Sequence, residues 1–397
     1  MINVKDAPYN AAGDGRTDDT KAIQNAINAA GAFGKVYFPK GSYRITNTIA
    51  IGRFPGLSIV GENWTAASIK MDVDNRPIFR FTSMDTHSVT MEELELTFTR
   101  LQTKDRNPNG IAVEYTNETS NSNGLYHHVY RKLRVVNAGY GFKTTSSGQL
   151  PVWGCKWEDI MFWTVGTTCF YIRSSSAIGR PMNMFSNIKI FQDPSVVASS
   201  AFDMQTEFSL DSLNCENWAN TILKNDSAFN CIIRYVHVEH HRITVNYSLM
   251  FVLENGAYDV SGVSVSIKSW TNSVHTVLQG DGKSVLNARN IYINPEQGVG
   301  SGNISAIGTF GKVVASGLLR SGSTEASKVS DYATYTNNGW NFYSIDGLPP
   351  YIEDGASLPP AGAAYRGRMF YKRSNGGSDV LYICLKGADG SYAWKVL

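Results

Sequence analysis

Residues 236–242 read VHVEHHR and concentrate side chains that can exchange protons, bind a metal or hold an anion. Three of the seven histidines of the chain lie here, together with Glu239 and Arg242. Alternate residues of an extended strand point to one face, so His237, Glu239 and His241 could form a zinc site of two histidines and one carboxylate. Acid–base catalysis and a solvated strand edge are the alternatives, and the elements that carry the cluster must decide between them.

The composition of the 397-residue chain favours a soluble all-β protein. Hydrophobic residues make up 42% and charged residues only 18%, whereas Gly, Tyr and Phe are frequent, at 36, 20 and 18 copies. The net charge of +2 gives no bulk attraction to nucleic acid or to a membrane surface. No apolar run reaches the length of a membrane span, and MINVKDAPYN lacks the apolar core of a signal peptide. The five cysteines lack metal-ligand spacing, so we expect buried free thiols and no metal or other cofactor.

The N-terminal region contains a turn, an amphipathic helix and two strands. The turn signal is AAGDG, from residue 11. Thr17 is a candidate helix N-cap, with Asp18 and Asp19 on the first turn, where negative charge stabilises a helix. An apolar stripe follows with helical spacing, formed by Ala22, Ile23, Ala26, Ile27 and Ala30. KVYFP and YRIT, beyond Gly31, are predicted strands.

This stretch resembles the pectate-lyase-like family, which includes phage tailspikes and polysaccharide depolymerases. The resemblance rests on GDG, TDDT, AIQNAI and VYFPKGSYRI, which follow one another within residues 3–46. It implies a right-handed parallel β-helix whose open end is covered by the N-terminal helix, because a stacked solenoid must protect its terminal rung. It also implies a homotrimer. Asp14, Asp18 and Asp19 are then turn and cap residues and not catalytic groups.

Short apolar-x-apolar triplets recur downstream, as the stacked strands of a parallel β-helix require. They begin at Leu94, Leu133, Ile160, Ile188, Leu213, Val236, Val263 and Ile291. The two apolar residues of each triplet are predicted to point inward. The residue before the triplet, the one between its apolar residues and the one after it point outward and stack in columns.

The outward columns bring two carboxyl groups together. Glu216 and Glu239 fall one rung apart, at a strand spacing of about 4.8 Å, and His237 and Tyr235 belong to the rung of Glu239. Glycosidases use two carboxyl groups, about 5–5.5 Å apart in retaining enzymes and about 6.5–9.5 Å apart in inverting ones. We therefore predict catalytic roles for Glu216, Glu239, His237 and Tyr235.

Other side chains in the same third of the chain are predicted to bind the substrate. Trp163 and Trp218 have ring faces that can pack on the apolar faces of sugars. The remaining predicted contacts are polar and come from Lys189, Arg242 and Asp159.

Two other chemistries remain open. A polysaccharide lyase needs a base near C5 of a uronic acid and a cation for its carboxylate. Tyr235 or His237 could be the base, and Arg242 or Lys189 could be the cation. The zinc hypothesis is weaker, because β-helix strands are short and the chain is expected to turn near His240. A receptor-binding fibre without catalysis is the alternative outside the enzymes.

The sequence lacks the catalytic motifs of several known enzymes of this family. It has no NTD, GHG and RIK set as in polygalacturonases, no RxPxxR element as in pectate lyases and no DPHE motif as in alginate epimerases. The resemblance therefore implies the fold and the general class, but it transfers no catalytic residue.

The end of the chain has the sequence of a separate small module. LPPAGAAYRGRM and DVLYICLK resemble a module found at the C-terminus of phage tail fibres and prophage tail proteins. We expect a cap over 1–48, a parallel β-helix over 49–300, a Gly/Ser-rich β region over 301–350 and a small β module over 351–397. The predicted function is binding and depolymerisation of a bacterial surface polysaccharide by a tail protein of a phage or prophage virion, acting outside the cell.

Overall fold

The computed structural model describes most of the chain up to residue 332 and shorter pieces beyond it. The described residues are 1–82, 86–116, 124–145, 151–173, 182–227, 230–244, 248–269, 275–295, 304–320, 329–332, 352–355, 358, 361–362, 369–372, 380–387 and 389–396.

Within these ranges the chain forms a single α-helix and a long series of β-strands. The helix, α1, is Thr20–Ala30. The first strands are β1 (Ile2–Asn3), β2 (Asp14–Asp18), β3 (Lys35–Phe38), β4 (Gly41–Ile45), β5 (Ile49–Ile51), β6 (Ser58–Gly61), β7 (Ala67–Met71), β8 (Phe79–Phe81), β9 (Thr90–Phe98), β10 (Ile111–Tyr115), β11 (Leu125–Tyr126) and β12 (Val129–Val136). The central strands are β13 (Tyr140–Thr144), β14 (Val152–Trp153), β15 (Lys156–Trp163), β16 (Thr168–Arg173), β17 (Asn183–Phe191), β18 (Ser200–Gln205), β19 (Phe208–Glu216), β20 (Thr221–Asn225), β21 (Asn230–Arg242), β22 (Ser248–Leu253), β23 (Ala257–Ser269), β24 (His275–Gln279) and β25 (Val285–Pro295). The last strands are β26 (Ile304–Ile307), β27 (Lys312–Arg320), β28 (Val329–Tyr332), β29 (Ile352–Gly355), β30 (Met369–Lys372), β31 (Val380–Lys386) and β32 (Tyr392–Val396).

The helix α1 packs against the first strands through one apolar face. Ile23, Ala26 and Ile27 are buried in that face, which contacts β1, β3 and β5. The N-cap residue is Asp19, and Thr17 lies in β2. The helix therefore begins two residues later than the predicted cap at Thr17 implies. None of the described helical segments has the length and apolarity of a membrane span.

The three N-terminal aspartates bind backbone N–H groups around the turn, but Asp18 and Asp19 precede the helix instead of lying on its first turn as predicted. Asp14 accepts two backbone N–H bonds from Arg16 and Thr17. Asp18 accepts the N–H and the hydroxyl of the first helical residue. The buried Asp19 accepts the N–H groups of Ala12 and Gly13 at 2.7 and 3.0 Å. All three carboxylates are thus used to shape the start of the fold.

Two long parallel sheets wind the chain into a β-helix. In the first sheet the neighbours are, in order, β1, β3, β6, β9, β12, β15, β17, β19, β21, β23, β25 and β27, and β2, β4 and β7 join at its start. In the second sheet they are β28, β26, β24, β22, β20, β18, β16, β13, β10, β8 and β5. From β15 to β28 successive strands alternate between the two sheets, so each of these coils adds one strand to both. In earlier coils β11 and β14 pair with each other in a separate two-stranded sheet. The predicted parallel β-helix is confirmed.

The sheets extend past residue 300, where the triplet pattern of the sequence fades. β26, β27 and β28 continue the same parallel ladders. The predicted small C-terminal β module is also present, as a separate four-stranded sheet of β29 to β32. In that sheet β30, β31 and β32 are antiparallel, and β29 pairs with β30 in parallel.

Aromatic rings stack between coils inside the β-helix. Trp157 lies on Phe185 with ring centroids 4.6 Å apart and 4° between the planes. Phe170 is stacked between Phe142 and Phe202 at 5.3 and 5.0 Å. Each such pair contributes about 0.5–1.5 kcal/mol beyond the burial of its area. Because each ring meets its counterpart on the next coil, the stacks fix the register of the outward columns as well.

Eight successive coils change direction at the same point of the first sheet, each through one residue with left-handed backbone conformation. The residues with φ between 49° and 65° at this corner are Glu93, Lys132, Asp159, Asn187, Ser212, Tyr235, Gly262 and Asn290. A residue other than glycine in the left-handed conformation raises the free energy of the folded state by about 1–3 kcal/mol. Since successive coils all carry one, this strain belongs to the architecture and does not mark a functional site by itself. The corner directs its side chains outward.

His128 is buried in neutral form and gives the fold a pH dependence. Its Nε2 lies 2.8 Å from the carbonyl oxygen of Thr86 and must donate, so its Nδ1 accepts from the hydroxyl of Tyr130 at 3.0 Å. Burial lowers the pKa of His128 to about 4. Between the unfolded value of about 6.5 and this folded value the unfolded state binds more protons. We expect the free energy of unfolding to fall by up to about 1.4 kcal/mol per pH unit as the pH drops through that window.

Chemical denaturation at several pH values measures this effect. His128→Gln, which can keep a donor and an acceptor, is expected to flatten the dependence between about pH 6.5 and pH 4. His127→Gln is the matched control, because His127 is exposed. An equal slope in wild type and His128→Gln would contradict the assignment.

Candidate functional site

The outward face of the first sheet carries three columns of side chains after each corner. Over β15, β17, β19 and β21 the corner column is Asp159, Asn187, Ser212 and Tyr235, the middle column is Met161, Lys189, Asn214 and His237, and the last column is Trp163, Phe191, Glu216 and Glu239. Every predicted catalytic residue lies in these columns, on two neighbouring rungs.

Glu216 and Glu239 are direct partners on adjacent parallel strands. The side chain of Glu239 is 44% exposed, and Nε2 of His237 and Nε2 of His240 each lie 3.8 Å from one of its oxygens. Glu216 receives a weak hydrogen bond from the amide of Asn217 at 3.4 Å. The two carboxyl groups therefore share a solvent-accessible face, and imidazoles flank one of them.

An aromatic pair, the exposed Trp163 and the partly buried Phe191, continues the column of the two glutamates. Trp163 is 52% exposed, and its ring lies 5.5 Å from that of Phe191, at 40°. Phe191 is the direct strand partner of Glu216. The predicted sugar-stacking residue Trp163 thus lies two rungs from one carboxyl group, with a second ring, Phe191, between them. The alternation of the triplets placed Phe191 in this column, but a role for it was not predicted.

A cleft of about 240 Å³ opens beside this face, toward the N-terminus. It contains the predicted binding residues Asp159 and Lys189. Its lining is Asn63, Trp64, Glu93, Lys132, Asp159, Ile160, Met161, Asn187 and Lys189. Glu93 and Lys132 are corner residues, so their outward direction was predictable. Trp64 comes from the turn between β6 and β7, where no periodicity indicates its position.

Trp218 and His241 do not reach the outward face. Trp218 is buried, and its indole N–H donates to the carbonyl oxygen of Thr221 at 2.9 Å. The predicted role of Trp218 in stacking a sugar is therefore wrong. His241 is buried as well, because the chain bends at His240, where φ is 51°. It cannot join His237 and Glu239 on one face, and among the described residues no group of three or more His, Cys, Asp or Glu side chains could hold a metal ion.

Arg242 binds the protein backbone instead of projecting into solvent. Its Nη2 donates to the carbonyl oxygens of Val196 and Asn217 at 3.4 and 3.3 Å. Burial lowers its pKa, and Asp193 opposes that change. Arg242 thus holds the loop of Val196 against the corner at Asn217. The structure does not bring its guanidinium to the cleft, so of the two predicted cations Lys189 alone lies there.

Tyr235 is the most exposed of the predicted catalytic residues, at 69%. It sits at the corner with φ of 53°, and its ring lies above Gly262 on the next coil. We expect Tyr235→Phe to reduce cleavage less than about tenfold, the value of one neutral hydrogen bond. A lyase that uses the Tyr235 hydroxyl as its base would instead lose about a hundredfold or more. Initial rates with a purified polysaccharide distinguish the two.

The parallel coils and the capped start define a parallel β-helix protein, and the paired glutamates lie on one outward face of it. The family described as rhamnogalacturonase A/epimerase, pectate lyase-like, matches residues 1–220. This chain belongs to that family. The match includes Glu216 and ends before Glu239.

Curated relatives match only short segments of the chain. A probable glucan endo-1,3-β-glucosidase of Arthroderma benhamiae is 47% identical over 64 residues, which are 16% of this chain and 7% of that protein. A glucan 1,3-β-glucosidase of Cochliobolus carbonum is 32% identical over 122 residues, 29% of this chain and 15% of that protein. The matched segments thus span a small part of the length of these relatives.

Solved structures share the fold at low sequence identity. The A-module of a mannuronan C-5 epimerase of Azotobacter vinelandii has a TM-score of 0.51 and 17% identity, covering 88% of this chain and 100% of the module. A surface adhesin of Streptococcus pneumoniae has a TM-score of 0.54 and 13% identity, covering 99% and 98%. A tailspike of the Acinetobacter phage vb_AbaP_AS12 covers 100% of this chain and 81% of its own, at 9% identity, but its TM-score of 0.48 is too low to support an inference. The likenesses to the epimerase module and the adhesin establish the fold alone.

Proposed function

We propose that this protein binds and depolymerises a bacterial surface polysaccharide by glycoside hydrolysis. The observation that carries the proposal is the pairing of Glu216 with Glu239 beside the exposed ring of Trp163 and the partly buried ring of Phe191. Two carboxyl groups on adjacent rungs fit the catalytic pair of a glycosidase, and rings beside them fit a sugar-binding surface. A family named for polysaccharide-processing enzymes supports the substrate class. The short matches include two glucosidases and an alginate lyase, so the preference for hydrolysis rests on the paired glutamates.

The surroundings of the two glutamates suggest different roles for them. Glu239 suits the nucleophile, because the imidazoles of His237 and His240 can balance its negative charge when they are protonated. Its carboxylate would attack the anomeric carbon while the bond to the leaving oxygen breaks, and Glu216 would donate a proton to that oxygen. Water deprotonated by Glu216 would then cleave the sugar–Glu239 ester. The strand spacing of about 4.8 Å is nearer to the carboxyl separation of retaining enzymes, so we expect retention at the anomeric carbon.

Product analysis tests the reaction. Purified capsular, exopolysaccharide and O-antigen polysaccharides are incubated with the protein, and reducing ends and near-ultraviolet absorbance are followed together. Hydrolysis produces reducing ends without the absorbance of an unsaturated sugar, and proton NMR of the first product reports its anomeric configuration. An unsaturated product would show β-elimination instead. Binding without any release would favour a receptor-binding fibre.

A lyase is the second candidate function, and the exposure of Tyr235 favours it. Tyr235 and His237 share one rung, and Lys189 lies two rungs away in the column of His237. A tyrosine or histidine base with a lysine near the substrate carboxylate is the set that β-elimination needs. The paired glutamates have no evident role in that reaction, which is why hydrolysis is preferred.

We further propose that the protein acts as a homotrimer in the tail of a phage or prophage virion, outside the producing cell. The N-terminal signature and the C-terminal LPPAGAAYRGRM segment support this context by their resemblance to tail proteins. Light scattering on the purified full chain measures the mass. A monomer at micromolar concentration would argue against the trimer and would leave the proposed chemistry unaffected.

A further inference from the structure

We propose that the cleft lined by Trp64, Asp159 and Lys189 is a subsite for an uncharged sugar unit of the polysaccharide. This inference rests on the proposed polysaccharide function and adds to it the chemical class of one bound unit. The cleft is separate from the two glutamates, and its residues are not needed for the bond-breaking steps described above.

The size and walls of the cleft fit a single sugar ring. Its volume of about 240 Å³ lies below the roughly 300–1,000 Å³ of pockets that enclose drug-sized ligands. Trp64, Ile160 and Met161 contribute apolar surface, and the other lining side chains are polar or charged. A pyranose ring has the same division, with apolar C–H faces and a polar rim.

The charges that line the cleft compensate one another. Nζ of Lys132 lies 2.8 Å from Oε1 of Glu93, and this hydrogen bond raises the pKa of Lys132. The other two charged lining residues are Asp159 and Lys189, again one of each sign. A charged sugar of either sign would meet two like charges and two opposite charges, so the cleft offers it no net attraction. Burial of a ligand charge without a net attraction costs free energy, so an uncharged unit is favoured.

The polar groups of the cleft include hydrogen-bond donors and acceptors, so they can bind both the oxygen and the proton of a sugar hydroxyl. Asp159 accepts a hydrogen bond from the amide of Asn187 through one oxygen, and its other oxygen can accept from a ligand. Lys189 has no carboxylate within ion-pair distance among the described residues, so its ammonium protons can donate. Asn63 and Asn187 add amide groups of both kinds. A hydroxyl is at once donor and acceptor, and it matches such a mixed set better than an ion does.

The position of the cleft suits a polymer that also reaches the two glutamates. Lys189 and Phe191 lie on the same strand, and Phe191 is the strand partner of Glu216. The cleft therefore ends one rung before the first carboxyl group. A polysaccharide lying along the first sheet would place one sugar unit in the cleft beside Trp64 and a later sugar unit between Glu216 and Glu239.

Binding measurements with two matched sets of oligosaccharides test this inference. The neutral set contains oligomers of glucose, galactose, mannose, rhamnose and N-acetylglucosamine, and the acidic set contains oligomers of glucuronic and galacturonic acid. Titration calorimetry and saturation-transfer NMR are done on the full chain carrying Glu239→Gln, so that probes stay intact. We expect at least one neutral probe to bind more tightly than every acidic probe. Adding Asp159→Asn is expected to weaken that binding about tenfold or more, and adding Trp64→Ala to weaken it similarly.

The variants are chosen so that folding does not obscure the result. Asparagine tolerates the left-handed backbone of residue 159, where φ is 55°. Phe33→Ala is the aromatic control, because Phe33 is 78% exposed and is not part of the cleft lining. Tighter binding of acidic probes, unchanged binding in Trp64→Ala and Asp159→Asn, or no binding of any probe would each overturn the inference. Cleavage that depends on Glu216 and Glu239 could still hold in all three cases, and loss of cleavage alone would leave the subsite intact.

Discussion

Changing Glu216 to glutamine is expected to lower polysaccharide cleavage by about 10²- to 10⁴-fold, the usual contribution of a catalytic acid or base, and changing the nucleophile Glu239 to glutamine is expected to lower it at least as much. Glutamine keeps the shape of the side chain and removes only its ability to ionise. Both side chains point outward, so the free energy of unfolding should change little. Reducing ends released per unit time measure the effect, and thermal melting checks the fold of each variant.

Glu158→Gln is the matched control for this pair. Glu158 lies on the outward face of the same sheet, before the corner, and is the strand partner of Arg131 and Ser186. Its loss should leave the cleavage rate within about twofold of wild type, since a surface change away from the site costs at most about 0.5 kcal/mol. Full activity in both Glu216→Gln and Glu239→Gln would refute the glycosidase mechanism.

Changing Trp157 to alanine is expected to lower the free energy of unfolding by about 3–5 kcal/mol, as for other large-to-small changes of buried aromatic residues. Trp157 is fully buried and is stacked between Tyr130 and Phe185 at 5.6 and 4.6 Å. Its removal leaves a cavity and breaks a ring stack that joins three coils. Urea denaturation, or the rate of unfolding where refolding is incomplete, measures the loss.

Trp163→Ala provides the opposite case on the same strand. Trp163 is half exposed, so its loss should change the free energy of unfolding by no more than about 0.5 kcal/mol while weakening polysaccharide binding. A loss of stability below about 1 kcal/mol in Trp157→Ala would contradict the proposed importance of the ring stacks. Unchanged binding in Trp163→Ala would remove it from the proposed sugar surface.

The sequence predicted the register of the coils well because the apolar triplets are anchored by the core. Leu213 and Val236 point inward on adjacent strands, as do Cys215 and Val238. Once these positions are fixed, strict alternation places Glu216 opposite Glu239. The family signature added what alternation could not provide, namely that the strands pair in parallel around a solenoid.

The prediction failed for Trp218, which was assigned to the sugar surface because it lies in the same third of the chain as the two glutamates. Asn217 has φ of 58°, and this left-handed residue reverses the inward and outward sense of the residue after it, so Trp218 points into the core. The sequence did indicate a turn near His240, where φ is 51° and the following His241 is buried. Asparagine does not require the left-handed conformation, so the sequence gave no sign of the reversal at Asn217.

The cleft was predicted only in part, for a related reason. Asp159 and Lys189 follow from the columns of the sheet. Trp64 belongs to a turn of the early coils, and it lines the same cleft as Asp159, which is nearly a hundred residues later in the sequence. Contacts between a turn and a sheet depend on the path of the turn, and the local pattern of the sequence does not predict that path.

The corner column also has an evolutionary consequence. One backbone conformation is occupied in successive coils by Glu, Lys, Asp, Asn, Ser, Tyr, Gly and Asn. A residue that tolerates this conformation can thus be exchanged for another with different chemistry while the neighbouring coils keep their place. Substitutions at this corner can therefore change the chemistry of the outward face while the fold stays the same.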